Sequence, residues 1–219
     1  MTRLMRDSTT LADDPISGTD IVAAYANGLY KTTSAAVAGR FEGLPEVWID
    51  VNGTDVYADV LDVETGDATL AGAVAWVKAK LATKPVYPPV VYCDRSTLTP
   101  LFNAMSAGGL HVGTHFRLWI ATLDGTKTVP DMTGVTAVQY AGQPQTGHHY
   151  DESIVYDNAW KAAAPYAHVL GVVLAIAATL AGCGLLALGG LVFSRWEERR
   201  QEPEPLRRRS GERIREPRR

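Results

Sequence analysis

Short runs in which apolar and polar residues alternate recur along the first three quarters of the chain. They lie at 21–26, 47–51, 59–64, 90–94, 116–122, 136–141 and 153–156. A side-chain period of two is the signature of a strand with distinct faces, so the pattern predicts seven strands. Between the third and fourth, Leu70, Val74, Val77 and Leu81 fall at helical spacing and predict a helix over 68–81. A second helix is predicted over 97–107, with Thr97 or Thr99 as its cap and Gly108-Gly109 as its end. The Gly-, Pro-, Thr- and Gln-rich stretches 124–133 and 142–149 read as surface loops, with Asp124 and Lys127 as turn residues. Strands alternating with helices predict an α/β fold with mostly parallel strands.

The two faces of each strand narrow this further. Val47, Ile49 and Val51 oppose Trp48, Asp50 and Asn52; Leu61 and Val63 oppose Asp62 and Glu64; Val91 and Cys93 oppose Tyr92 and Asp94. Leu118 and Ile120 oppose Trp119, and Val138 and Tyr140 oppose Gln139. Five strands thus pair an apolar face with a polar or aromatic residue on the other side. A sheet covered on both sides by helices does not favour Asp50, Asp62 and Glu64 on its strands. A barrel does: the apolar faces pack beneath helices and the remaining side chains converge at the mouth. The expected fold is an irregular or shortened (β/α) barrel of the TIM type, since seven strands are countable where a complete barrel has eight.

The rest of the chain changes character. Residues 169–193 are 25 consecutive uncharged positions, and at ~1.5 Å per residue they are long enough to cross a ~30 Å hydrocarbon layer. After them, 194–219 holds ten arginines and six glutamates, a net of +4 within a chain whose formal charge is −3; the remainder therefore carries −7. The expected organisation is a barrel domain at 1–165, one transmembrane helix at 166–194 and a basic, solvated tail at 195–219. Arg195, Arg199 and Arg200 adjoin the span and, by the positive-inside rule, place the tail in the cytoplasm and the domain outside. The polar N-terminus, which has no apolar stretch, argues the other way. The tail suits anionic lipid, while the acidic domain argues against nucleic acid as a partner.

Asp62 and Glu64 stand out chemically. Two residues apart on a strand, their Cα atoms are ~6.6 Å apart on one face. Paired carboxylates at that scale suit cleavage of a glycosidic bond: one protonates the leaving oxygen, and the other stabilises or attacks the oxocarbenium-like centre or orients a water. Repulsion between them raises the pKa of one and helps keep it protonated. A calcium ligand set and a solvated strand end are the alternatives for such a pair.

The order of segments VLDVE (60–64), VVYC (90–93), LWIA (118–121), AVQYA (137–141) and YDES (150–153) resembles the family-25 glycoside hydrolases, muramidase lysozymes that cut peptidoglycan. The resemblance spans roughly 59–157. It implies Glu64 as general acid and Asp62 as its partner, with Tyr92, Trp119 and Gln139 lining a sugar cleft and Asp151 as a further carboxylate at the mouth. The family opens with an Asp at the end of its first strand. Here the first predicted strand reads IVAAYANG, with Tyr25 and Asn27 on the site side and no such Asp, so Asp50 is the expected substitute.

Two functions follow as expectations. One is a membrane-anchored hydrolase acting on peptidoglycan or another polysaccharide. The other is a catalytically inactive glycan-binding or scaffolding module on the same tether. No metal or cofactor is expected: His148-His149 lacks further ligands at metal spacing, and no phosphate-binding Gly-rich loop is present. Cys93 and Cys183 suggest neither a disulfide nor a nucleophilic triad.

Overall fold

Eight strands close into a barrel in chain order, each pairing with its sequence neighbours. They are β1 (Arg3–Asp7), β2 (Ile21–Tyr25), β3 (Glu46–Asp50), β4 (Val60–Asp62), β5 (Val90–Asp94), β6 (Arg117–Ala121), β7 (Val135–Ala141) and β8 (Asp151–Val155). The first seven are parallel, whereas β8 runs antiparallel to both β7 and β1. The computed structural model describes residues 2–128 and 130–156. No helix among them is long and apolar enough to cross a membrane. The predicted transmembrane helix at 166–194, which includes Cys183, and the basic tail lie outside the described residues.

The barrel expectation is met, with one correction: the strand count is eight, because β1 precedes the first predicted strand. Two arginines in five residues conceal it. Arg6 points outward and pairs with Glu152 on β8 at 2.8 Å, while Met5 points inward and is fully buried. A polar strand of this kind is stabilised by a partner 146 residues away, which no local pattern reveals.

Helices cover only part of the wall. α1 (Ser34–Arg40), α2 (Leu70–Ala82) and α3 (Leu98–Ala107) follow β2, β4 and β5, and a single turn, α4 (Gln143–Thr146), precedes β8. α2 starts where the Thr69 side chain accepts from the Gly72 N–H at 3.1 Å, satisfying one of the first-turn donors. Thr97 takes the N-cap position of α3 as expected, but its side chain makes no cap bond; the Asp94 carboxylate accepts from the Thr97 N–H at 2.8 Å instead. Val77 of α2 and Leu101 and Met105 of α3 pack on Leu61, Val91, Cys93, Leu118 and Ile120. Each such buried side chain contributes about 1.5–3 kcal/mol.

Among the described residues no α-helix links β3 to β4 or β6 to β7. The first of these connections is held by α2 from the side. Trp76 Nε1 donates to the Asp55 carbonyl at 3.0 Å, and the Lys80 ammonium donates to the Val56 and Ala58 carbonyls. Loop carbonyls removed from water thereby find partners, as buried backbone must.

Candidate active site

Two side-chain sets alternate along the strands. Outside, on β4 to β6, lie the aliphatic residues under α2 and α3; inside lie Met5, Ile21, Ala23, Val47, Ile49, Val60, Val90, Tyr92, Trp119, Ala137 and Val155. Above this apolar floor, at the C-terminal ends of the parallel strands, is a recess of about 330 Å³. Its walls carry four carboxylates, Asp7, Asp62, Glu64 and Asp151, together with Tyr25, Tyr92, Trp119 and Gln139 above Ile49.

The groups arrive from seven strand ends, Asp62 and Glu64 sharing that of β4, and the register explains how they meet. Asp62 stands beside Tyr92, and Tyr92 beside Trp119, on neighbouring parallel strands. The two rings touch edge to face with centroids 4.9 Å apart, a geometry favoured by aromatic quadrupoles. Tyr92 donates its hydroxyl to Gln139 Oε1 at 2.6 Å, the Gln139 amide bonds the Asp151 carboxylate, and Trp119 Nε1 donates to Ser153 Oγ at 3.0 Å. Gln139, buried among apolar neighbours, thus has a partner at both ends of its amide. Because β8 is antiparallel, its first residue, Asp151, lies at the same rim and directly opposite Asp7.

The charges are crowded and dry. Asp62 is 7% exposed and Asp7 is 4% exposed. Burial, and then the neighbouring Glu64 and Asp67, push the Asp62 carboxyl up to about 8. Asp7 is raised well above the usual carboxylate range by burial and then by Asp151. Glu64 and Asp151 are raised as well, chiefly by burial; hydrogen bonding from Tyr92 and from the Gln139 amide, respectively, opposes the shift. Desolvation with like-charge crowding stabilises protonated carboxyls, the form a general acid requires. The repulsion within the Asp62–Glu64 pair falls on Asp62, the deeper member.

The structure brings together Asp62, Glu64, Tyr92, Trp119, Gln139 and Asp151 as the sequence predicts, and Tyr25 lines the same recess. A solvated strand end is ruled out for Asp62 by its burial. Asp62, Glu64 and Asp67 offer oxygens that all lie within 4.8 Å of one another, a spacing that could hold a divalent cation.

Asp50 is a correction. It is fully buried but faces away from the recess, where its Oδ1 accepts from Asn27 Nδ2 at 2.8 Å, from the Asn52 N–H at 2.8 Å and from the Gly53 N–H at 2.9 Å. Its Oδ2 accepts from the Asp55 N–H at 2.7 Å. On β3 the interior face is Val47, Ile49 and Val51, the reverse of the parity on β4 to β7. Asn27 joins this outer network as well, its Oδ1 accepting from the Val51 N–H at 3.0 Å. Replacing Asp50 with Ala leaves four donors without their acceptor. The expected cost is about 3 kcal/mol of unfolding free energy, read as a lower urea midpoint at unchanged m-value.

The carboxylate missing from the first predicted strand is Asp7, at the end of β1. Its only sequence signal is an acid closing a short run, RLMRD, that itself shows no apolar alternation.

His148 and His149 are loop residues: His148 stacks on Tyr150, and His149 Nδ1 meets the Gln143 amide at 3.0 Å. Asp124 accepts from the Thr126 N–H at 2.9 Å, as a turn residue does.

No family model matches the chain, and no curated protein does. Among solved structures the chain is similar to a family 25 glycosyl hydrolase from Bacillus anthracis, at 11% identity and a TM-score of 0.43, over 71% of this chain and 89% of that one. It is also similar to a muramidase from Acremonium alcalophilum, at 15% identity and a TM-score of 0.43, over 72% of this chain and 93% of that one.

Proposed function

We propose that this protein is a glycoside hydrolase that cuts the glycan strands of cell-wall peptidoglycan by carboxylate acid catalysis, held at a membrane through 166–194. The observation that carries the reading is the convergence of four carboxylates from three strand ends, beside two aromatic rings and an amide, in one recess. Glu64, the less buried member of the pair, is the general acid and gives its proton to the leaving oxygen. Asp62, deeper and raised to about 8, shares the proton of the pair in the resting state and faces the anomeric centre once Glu64 holds it. The Tyr92 hydroxyl lies beside Glu64 as well as Gln139, and turning its one proton from Gln139 Oε1 to Glu64 steadies the carboxylate left after proton transfer. Tyr92 and Trp119 give the sugar ring an aromatic wall, and the Gln139–Asp151 pair offers both an acceptor and a donor to its hydroxyls.

Asp62 and Glu64 approach within 4.8 Å. An approach this close between their nearest oxygens favours the retaining arrangement, with carboxyl groups about 5–5.5 Å apart, over the inverting one, at about 6.5–9.5 Å. The product is therefore expected to keep the anomeric configuration of the substrate. Proton NMR taken during the first turnovers reads this directly, and initial release of the opposite anomer would overturn the Asp62 assignment.

The membrane proposal rests on the uncharged run and the arginines beyond it. These favour the barrel outside and the tail on anionic lipid at the cytoplasmic face. Protease accessibility of the barrel in intact cells tests the orientation. For the activity, release of reducing ends from peptidoglycan is the measurement; glycan binding without any release would leave the inactive-module reading in its place.

A further inference from the structure

A second recess of about 370 Å³ adjoins the first and shares Tyr25 with it. The two sit at the same rim because the same strand ends build them. Asp7 closes β1 inside the catalytic recess, and the residues that follow it, Ser8 and Thr9, line the second. Tyr25 closes β2 between the two, and the turn beyond it brings Tyr30 and Lys31 to the second recess.

That turn is a defined element. The Thr32 N–H donates to the Tyr25 carbonyl at 3.0 Å, and the Tyr30 ring leans on Tyr25 with centroids 6.0 Å apart. Gly28 occupies a left-handed conformation, φ 79°, at a point where a Cβ would come within 2.5 Å of Val51. Only glycine permits both the conformation and the approach.

The two recesses differ in charge. Four carboxylates line the first and no Lys, Arg or His does; Lys31 is the cation of the second. A peptidoglycan strand poses a matching problem. Every second sugar carries, on its lactyl ether, a substituent bearing carboxylates, for which the first recess, with no cation in its lining, offers no counter-charge. Tyr25 is the wall that the two recesses share, and the cation lies on its far side.

We infer that the recess beyond Tyr25 is a subsite for the carboxylate-bearing lactyl–peptide substituent of the sugar held in the catalytic recess. Lys31 supplies the counter-charge and Tyr30 the apolar contact. This rests on the glycan-cleaving reading and names the part of the substrate that the catalytic groups do not touch.

The test compares native peptidoglycan with the same material whose carboxylates have been capped as neutral amides by carbodiimide coupling to ethanolamine. The wild-type full chain should prefer the native glycan. In Lys31→Glu the ratio of kcat/KM on native over capped glycan should fall about tenfold, Lys31→Arg should keep most of it, and added salt should shrink the wild-type preference. A ratio unchanged by Lys31→Glu overturns the inference. If the wild type cleaves neither material, the hydrolase reading fails and the subsite is read by calorimetric titration of a soluble disaccharide–peptide into the full chain. Binding weakened about tenfold by Lys31→Glu sustains the subsite, whereas equal binding by both proteins, or none by either, overturns it.

Discussion

Glu64→Gln is expected to lower kcat on peptidoglycan by about 10³-fold while KM moves little, since general acid catalysis contributes roughly 10²–10⁴. The amide keeps the shape and hydrogen-bonding reach of the carboxyl but holds no transferable proton. Tyr92 keeps its hydrogen bond to Gln139 Oε1, so the wall around the site is preserved. A fall in kcat and kcat/KM together marks an interaction made only in the transition state. Rates within a few-fold of wild type would remove Glu64 from the proton-transfer step. A large rise in KM at unchanged kcat would assign it to binding.

Asp62→Asn should raise the Tm at pH 8 by about 10 °C, at ~2–4 °C per kcal/mol for a domain of this size, and leave the Tm at pH 4 nearly unchanged. The sign follows from the proton balance. Asp62 titrates near 3.8 when exposed and at about 8 in the fold. Between those values the folded state holds a proton that the unfolded chain has lost, so unfolding is favoured as pH rises. The stabilisation is fully present below about pH 4 and is lost as pH climbs through about 8. Each pKa unit is worth about 1.4 kcal/mol, so this one side chain makes the protein less stable by several kcal/mol across that range. Asp14, raised to about 7 mainly by burial, acts with the same sign and keeps some slope in the variant. Denaturation profiles from pH 4 to 8 measure the difference; superposable profiles would mean that Asp62 ionises freely in the fold. The same variant should lose hydrolase activity, which would make the site a place where stability has been given up for chemistry.

The sequence carried the inner and outer faces of β4 to β7 because their two sides differ in kind. Leu61, Val91, Leu118 and Ile120 are aliphatic under helices, while Asp62, Tyr92, Trp119 and Gln139 are not. On β3 the same alternation misled. A barrel strand is buried on both sides, so period two sorts side chains into two sets without saying which set is inside. With no helix leading from β3 to β4, its outer side received Trp48 against the α1 cluster and Asp50 against its own loop. β1 and its Asp7 were illegible for a different reason. The strand's apolar content is two residues, Leu4 and Met5, and its charges make sense only beside β8. Local pattern reports local burial; what the far end of the chain supplies, it does not show.

The reversed direction of β8 also decides where the polypeptide departs. The strand begins opposite Asp7 and finishes at Val155, opposite Arg3. The backbone beyond 155 therefore emerges at the base of the barrel, as far from the entrance as a single strand can carry it. A parallel eighth strand would have released the chain at the lip. Any segment joined after 155 starts from the base instead.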